Sequence, residues 1–252
     1  MMHRRSPTGI HPKRIFRICA LIISALSTCL CTTATALPAQ TIIDGARHVT
    51  NEKGIPSLEV PDLGTIDHPA WIALYALAYA GVENYQPALR LTTNPKGFRS
   101  CIDWLEGNLQ ENGAGLWVWP YLFNNTYNNT RIDAPWASAF AQATGIQAFL
   151  AAYRSTGDRK YISLAGKAAK SLTTTIEKGG LMYQAGDAVW FEEIPEPAAN
   201  PSHILNGHMR AIIALQELVT VTGDTRLQKW VEKGRIRFEA GRKVRYRLLV
   251  TI

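Results

Sequence analysis

The stretch Trp136–Asp158, WASAFAQATGIQAFLAAYRSTGD, decides the fold class of this 252-residue chain. Large apolar residues between Trp136 and Tyr153 recur at helical spacing, and small residues form a second stripe along the same helix. A helix with one large and one small apolar face is buried on both sides. We expect it to end at Thr156-Gly157-Asp158, where the glycine stops the helix and the aspartate caps a second helix over residues 159–177.

The same pattern returns 66 residues further along the chain. Residues 203–222 predict a long helix, Thr222-Gly223-Asp224 repeats the turn, and residues 225–233 predict another helix. Repeated antiparallel helical pairs with an inner face of small residues are typical of an α/α toroid, also called an α/α barrel. We therefore expect a mainly α fold, an incomplete α/α toroid of antiparallel helical hairpins, because no inner helix follows the second turn.

The preceding residues predict two more helices and a small β-hairpin. The helices are expected over residues 68–80 and 95–110, and Pro69 suits a first helical turn. The aromatic stretch 115–127 ends in asparagine-rich turns and predicts the β-hairpin, with an aromatic platform for sugar rings as a compatible alternative. Residues 41–66 predict an irregular lead-in.

The first 36 residues predict an export signal. Basic residues without any acidic residue precede an apolar run over residues 18–30, and Ala34-Thr35-Ala36 follows as a cleavage site. The apolar run is short for a membrane span. We therefore expect cleavage and a secreted or periplasmic protein. The alternatives are an uncleaved segment that anchors the protein in a membrane, and lipidation at Cys29.

The formal net charge of +7 does not indicate a nucleic-acid partner. Five positive charges lie in the first 36 residues and a further net +5 lies in residues 235–252, so the rest carries about −3. Residues 235–252 show no helical periodicity and are expected to form an aberrant basic tail. Cys101 is the only cysteine after the export signal, which excludes an internal disulfide and a cysteine metal site.

The stretch Trp190–Gly207, WFEEIPEPAANPSHILNG, predicts a functional loop. Its three prolines exclude a helix and fix the backbone, so Glu192 and Glu193 are expected on a rigid loop at the mouth of the helices. Binding and catalytic residues are often found on loops that a rigid scaffold holds in place.

Several short segments across residues 131–234 follow one another in a specific order and spacing. They are Ala134-Pro135-Trp136-Ala137-Ser138-Ala139-Phe140-Ala141-Gln142-Ala143, Thr156-Gly157-Asp158, Gly179-Gly180-Leu181, Trp190-Phe191-Glu192-Glu193-Ile194-Pro195 and Ile204-Leu205-Asn206-Gly207. Together they resemble the C-terminal, catalytic domain of the D-glucuronyl 5-epimerases, with weaker similarity back to about His68. The resemblance implies an α/α barrel with a groove for a uronate chain such as heparosan, and no nucleotide or organic cofactor.

Four segments follow from these observations. They are a signal peptide over residues 1–36, an N-terminal helical and β-hairpin part of the toroid over 37–130, the epimerase-like domain over 131–234, and the basic tail over 235–252. The expected partner is an acidic polysaccharide that contains uronic acids. Nucleic acid is not expected, and a homodimer is left open.

The resemblance also implies a reaction, catalysed by an isomerase that acts on carbohydrates. Inverting carbon 5 removes a weakly acidic proton next to a carboxylate, stabilises the enediolate and returns a proton on the opposite face. Glu193 matches the catalytic glutamate of the family. Ile194 replaces the motif tyrosine, and the chain leaves the family pattern near Gly234. We therefore expect little or no epimerase activity from this chain alone.

Six further residues are candidates for substrate binding, each with a structural alternative. Trp190 stacks on a sugar or packs in the core, and Glu192 binds substrate or serves as an ion-pair or capping group. Asn206 contacts substrate or caps a helix, and Arg210 holds a substrate carboxylate or pairs with Glu217. Gln142 and Ser138 either reach the groove or make a helix–helix hydrogen bond. His203 and His208 lack a ligand set, so no metal site is expected.

The sequence leaves two other functions open. One is a polysaccharide lyase or glycoside hydrolase on the same toroid, although a hydrolase needs two carboxyl groups about 5–9 Å apart, which two adjacent glutamates do not provide. The other is a non-catalytic fragment that binds acidic glycans.

Overall fold

The computed structural model describes residues 46–61, 63–82, 85, 89, 91–127, 130–195 and 201–240. The predicted signal peptide over residues 1–36 and the last part of the predicted tail, residues 241–252, lie outside this range. The described residues all belong to one compact unit.

The structure contains six described α-helices and nine short strands. The helices are α1 (Pro69–Tyr79), α2 (Pro95–Asn108), α3 (Ala139–Thr156), α4 (Lys160–Leu172), α5 (Leu205–Thr222) and α6 (Gln228–Ala240). The strands are β1 (Arg47–Thr50), β2 (Pro56–Val60), β3 (Gly64–Ile66), β4 (Gln110–Glu111), β5 (Trp117–Val118), β6 (Asn125–Tyr127), β7 (Thr130–Ile132), β8 (Met182–Ala185) and β9 (Ala188–Phe191).

The helices pack as three consecutive antiparallel pairs. Helix α3 lies between α1 and α5, and these three form one layer. Helix α2 packs against α1, α4 against α3 and α6 against α5, which gives the second layer. This is the arrangement of an α/α toroid, so the predicted mainly α fold of helical hairpins is confirmed.

The two Thr-Gly-Asp turns have the same structure. Gly157 and Gly223 end α3 and α5 with φ angles of 73° and 71°, the left-handed region that favours glycine. Their N–H groups donate to the carbonyls of Tyr153 and Val219, at 2.8 Å in both cases. Asp158 and Asp224 then accept hydrogen bonds from the backbone N–H groups of Lys160 (2.9 Å) and Arg226 (3.0 Å). The repeat is therefore a structural one.

The short antiparallel sheets differ in detail from the expected single hairpin. Strand β5 pairs back with β4, and β6 pairs forward with β7, so the aromatic stretch 115–127 contributes to two ladders. In the described part of the lead-in, the expected irregular structure is wrong, because the strands β1, β2 and β3 form one antiparallel sheet. The turn residues that suggested irregularity there, such as Gly54 with φ 77°, connect its strands.

The helix ends also differ from the sequence expectation. Trp136 pairs with Tyr121 in an isolated bridge, so α3 begins at Ala139 rather than at residue 136. Helix α6 extends to Ala240, so residues 235–240 are helical although they lack helical periodicity. No helix among the described residues is both long and apolar enough to cross a bilayer.

Close packing against Gly145 fixes the centre of α3. The indole of Trp119 is fully buried, and its Nε1 donates to the carbonyl of Leu105 at 2.7 Å. A methyl group at position 145 would lie 2.8 Å from Trp119 Cε3 and closer still to the outer ring atoms. This part of the core therefore has no room for a side chain.

Gly145→Ala is expected to lower the free energy of unfolding by about 1–3 kcal/mol, because overpacking outweighs the gain in helix propensity. Gly166→Ala is the matched control, since a methyl group on that exposed face of α4 meets nothing within 4 Å. It should raise the free energy of unfolding by about 0.5–1 kcal/mol. Urea unfolding of the three proteins measures both effects, and equal stability of the two variants would contradict this packing.

Candidate active site

The loop that carries Glu193 is fixed by the β8–β9 hairpin. Met182 faces Phe191 and Tyr183 faces Trp190 in the ladder, which places Glu192 and Glu193 directly after the end of β9. The N–H of Glu192 donates to the carbonyl of Leu181 at 2.8 Å. The β8–β9 hairpin thus fixes the backbone of the two glutamates from the N-terminal side of the loop. The rigidity of the whole proline-rich loop stays a prediction, since residues 196–200 lie outside the described range.

The carboxyl group of Glu193 lies against the first turn of α5. Its Oε2 atom is buried and has no hydrogen-bond partner among the described residues. A methyl group on Gly207 would lie 2.8 Å from Glu193 Cβ and 3.0 Å from Oε2. The glycine of the Asn206-Gly207 pair is therefore required for this close approach.

Burial raises the pKa of Glu193 from 4.5 to about 7. The backbone N–H of Gly207 and the positive charge of Arg210 oppose this rise in the pKa, whereas the negative charge of Glu192 adds to it. A carboxyl group with a pKa near neutrality exchanges a proton readily in either direction, which suits a general acid or base.

The guanidinium group of Arg210 is held between aromatic rings near Glu193. It lies 4.7 Å from the ring centre of Phe140 and 5.2 Å from that of Tyr85. Its Nη1 donates to the Tyr85 hydroxyl and, at 3.3 Å, to Gln147 Oε1. Arg210 thus presents a positive charge with a restricted orientation.

The alternative ion pair between Arg210 and Glu217 is not formed. Glu217 accepts a hydrogen bond from Gln147 Nε2 at 3.0 Å and pairs with Arg154 at 3.5 Å. The ion pair with Glu217 is therefore excluded as the role of Arg210, and its contact with substrate stays a prediction.

Glu192 points away from Glu193 and is fully buried. Its carboxylate accepts hydrogen bonds from Ser202 Oγ (2.8 Å) and the His203 N–H (3.0 Å), and its Oε1 lies 2.7 Å from His203 Nδ1. These contacts agree with the structural role proposed for Glu192, an ion-pair or capping group, rather than with a contact to substrate.

Trp190, Gln142 and Ser138 are likewise engaged inside the protein. The Trp190 ring is 1% exposed and stacks on His208 at 3.9 Å between ring centres. The Gln142 amide accepts from the Trp119 N–H at 2.8 Å and donates to Ser171 Oγ at 3.0 Å. Ser138 is the N-cap of α3 and accepts from the Phe140 N–H at 3.2 Å. Their roles in substrate binding stay predictions.

Asn206 does not cap α5. The N-cap position is Ile204, without a side-chain hydrogen bond to the helix, and Asn206 lies within the first turn. Its Oδ1 is buried and has no partner among the described residues. The side chain therefore remains a candidate for a substrate contact beside Glu193.

The structure adds two tyrosines that the sequence analysis did not name as site residues. Tyr121 is buried and stacks on Trp136 at 4.1 Å, and burial together with the charge of Glu193 raises the pKa of its hydroxyl. Tyr85 contacts Arg210 and Gln147 from a distant part of the sequence. The aromatic run around Tyr121 was a signal for a binding surface, whereas nothing local marks Tyr85.

An open groove of about 600 Å³ reaches the Glu193 loop at Pro195, although neither Glu193 nor Arg210 lines it. Trp136 and Pro195 line it on the side of the loop, and Asn112, Arg131 and Gly180 line it further away. Arg131 donates to Asp133 at 2.6 Å within this lining.

No group of three or more His, Cys, Asp or Glu side chains among the described residues could hold a metal ion.

Comparison with known proteins identifies a family. A family model described as D-glucuronyl C5-epimerase C-terminus matches residues 111–244, more than half of the chain. A D-glucuronyl C5-epimerase of Caenorhabditis elegans is 27% identical over 159 residues, which are 62% of this chain and 25% of that protein. An uncharacterized protein of Methanocaldococcus jannaschii is 31% identical over 111 residues, 42% of this chain and 35% of that protein.

The chain thus spans between a quarter and about a third of the length of these two relatives. Among solved structures, the cellobiose 2-epimerase of Spirochaeta thermophila aligns with a TM-score of 0.45 and 16% identity, over 70% of this chain and 45% of that one.

The raised pKa of Glu193 predicts a stability that falls as the pH rises. The folded state holds this proton more tightly than the unfolded state, whose pKa is near 4.5, so the stabilisation is complete below pH 4.5 and is lost by about pH 7. Glu193→Gln should remove this pH dependence. The expected difference is up to about 3 kcal/mol, because a tenfold change in proton affinity is worth about 1.4 kcal/mol. Urea unfolding of both proteins from pH 4 to 8 measures it, and parallel pH profiles would contradict the assignment.

Proposed function

The chain belongs to the D-glucuronyl C5-epimerase C-terminus family, and from this premise we propose that it inverts carbon 5 of a uronic acid within a polysaccharide. The proposed substrate is a glucuronate polymer of the heparosan type. The observation that carries the proposal is the half-buried Glu193 side chain, whose carboxyl has a pKa of about 7 and whose Oε2 atom is buried without a hydrogen-bond partner among the described residues.

The proposed reaction moves one proton at each face of the sugar ring. A base takes the proton from carbon 5, and the electron pair of the broken C–H bond passes into the carboxylate to form an enediolate. An acid on the opposite face then donates a proton to carbon 5. Glu193 is the proposed acid/base group on one face, because its pKa lets it hold or release a proton near neutral pH.

Arg210 is the proposed ligand of the substrate carboxylate. Its charge is close enough to affect the pKa of Glu193, so a carboxylate bound to the guanidinium would lie beside the acid/base group. A guanidinium suits a carboxylate geometrically, and its charge would stabilise the enediolate that develops there. The aromatic rings of Phe140 and Tyr85 limit the orientations open to it.

The surroundings of Glu192 favour epimerisation over hydrolysis. A glycoside hydrolase requires a second carboxyl group that faces the scissile bond, whereas the Glu192 carboxylate is occupied by Ser202 and His203. A lyase remains a candidate outcome because it also begins with removal of the proton at carbon 5. Its product would be an unsaturated uronate, which an epimerase does not form.

Export through the N-terminal segment is part of the proposal. Export would make the protein secreted or periplasmic, where acidic polysaccharides are accessible. Its support is the basic, apolar and Ala-Thr-Ala order of residues 1–36.

Deuterium incorporation at carbon 5 tests the reaction. The chain is incubated with a glucuronate polymer in heavy water, and the exchange rate is expected to fall at least about 10²-fold in Glu193→Gln, because that variant lacks one proton-transfer group. Glu177→Gln, an exposed change in the 3₁₀ turn Ile176–Lys178, should leave the rate unchanged.

Absence of exchange by the folded chain would contradict the proposed activity and agree with the sequence-based expectation of an inactive chain. Ultraviolet absorbance of an unsaturated product would instead identify a lyase.

Arg210→Gln should weaken binding of a glucuronate oligosaccharide by about 10- to 100-fold, because charge-assisted hydrogen bonds are worth about 1.5–3 kcal/mol. Isothermal titration calorimetry measures the affinity. Arg226→Gln is the control, since Arg226 is exposed and pairs with Asp224 at the turn after α5. An oligosaccharide whose carboxylates are reduced to alcohols should bind both variants equally, and an equal loss with this neutral ligand would refute the carboxylate contact.

A further inference from the structure

The residue before Glu193 joins three parts of the fold. The N–H of Glu192 donates to Leu181 at the start of the β8–β9 hairpin, and its carbonyl accepts from the N–H of Ala139 at the start of α3 (3.0 Å). Its carboxylate binds Ser202 and His203, just before α5. The hairpin and the starts of both helices are therefore connected through one buried residue.

His203 is held in an unfavourable backbone conformation. Its φ angle is 47°, in the left-handed region that few residues other than glycine adopt. Such a conformation persists only where the surroundings enforce it. Glu192 does so by binding both the backbone N–H and the ring Nδ1, and the ring also packs on Trp190 (5.0 Å) and Tyr183 (5.3 Å).

The start of α5 in turn bounds the Glu193 carboxyl. Gly207 lies in the first turn of α5, within van der Waals distance of Glu193. Residues 204–206 connect it to His203, so a shift of His203 is transmitted directly to the surface against which Glu193 rests.

We infer that Glu192 is a positioning residue for Glu193: its buried carboxylate holds residues 202–203 and thereby the first turn of α5 against the Glu193 side chain. Its effect on catalysis rests on the proposed function, whereas its effect on the Glu193 side chain does not. The adjacent glutamates thus have separate tasks, since one holds the site together and the other exchanges protons.

Removing the Glu192 charge should lower the pKa of Glu193 by two routes. The charged and polar groups around Glu193 are the Arg210 guanidinium, the Gly207 N–H, the Tyr121 hydroxyl and Glu192, whose carboxylate points away but whose charge still acts on Glu193. Without the Glu192 charge, the remaining Arg210 charge favours the ionised form. A looser start of α5 would also admit water to the carboxyl, which lowers its pKa further.

The test is a pH titration of the Glu193 side-chain carboxyl carbon by ¹³C NMR, with the resonance assigned by its loss in Glu193→Gln. In Glu192→Gln the titration midpoint is expected to move from about 7 toward 4.5. Glu177→Gln, which removes an exposed charge, should leave the midpoint in place. Ser202→Ala keeps the Glu192 charge and both His203 bonds, so its midpoint should stay close to 7. An unchanged midpoint in a folded Glu192→Gln protein would overturn the inference.

A second variant covers the case in which Glu192→Gln fails to fold. Glycine adopts the left-handed region without strain, so His203→Gly keeps the backbone bond to Glu192 and removes the ring contact. The readout is the pH-dependent shift of the Gly207 amide signal, which reports the nearby Glu193 titration. Its amplitude should decrease in His203→Gly, and a full amplitude in the folded variant would refute the positioning role.

These measurements need no substrate, so they separate this inference from the proposed function. In one outcome, the Glu193 midpoint moves in Glu192→Gln while the chain without substitutions shows no deuterium exchange at carbon 5. This result would support the positioning role and refute the proposed activity. Exchange whose pH profile is the same in the unchanged chain and in Glu192→Gln would refute the positioning role and retain the activity.

Discussion

The burial of α3 on every side is the constraint on which the remaining structure depends. Its small residues let α1, α4 and α5 approach closely, and Trp119 fills the space beside Gly145. A polar side chain inside this packing must find partners, and Gln142 does so by donating to the Trp117 carbonyl in β5 and to Ser171 in α4. The first N–H of α3 donates to the carbonyl of Glu192, so this buried helix also anchors the candidate site.

The site illustrates how burial produces chemistry. Loss of water raises the pKa of a carboxyl, and at Glu193 this effect outweighs the opposing Gly207 N–H and Arg210 charge. Glu192 and Glu193 are neighbours in sequence, yet successive residues of an extended segment point to opposite sides. One therefore meets Ser202 and His203, and the other meets the bare backbone of Gly207. The arrangement explains why a pair of glutamates follows a single strand without forming a catalytic pair.

The family and the main features of the fold were predictable because they depend on local patterns. Helical spacing between Trp136 and Tyr153 and the two Thr-Gly-Asp turns indicated the helical pairs, and the ordered motifs up to Gly207 indicated the epimerase family. The ends of α3 and α6 were less predictable. Pairing of Trp136 with Tyr121 shortens α3. Packing of Val231 and Gly234 against the core supports α6, although its last residues lack helical periodicity.

The sequence by itself determined which residue types are present and which of them share a helix, a turn or a loop, because these relations follow from backbone geometry over a few residues. Only the tertiary structure decided which polar groups are satisfied. Arg210 meets Tyr85 across 125 residues of sequence, and Glu217 meets Gln147 across 70. Hydrogen bonding and burial depend on every element that surrounds a group, so the exposed or buried state of Glu193, and with it the pKa, follows from the assembled helices alone.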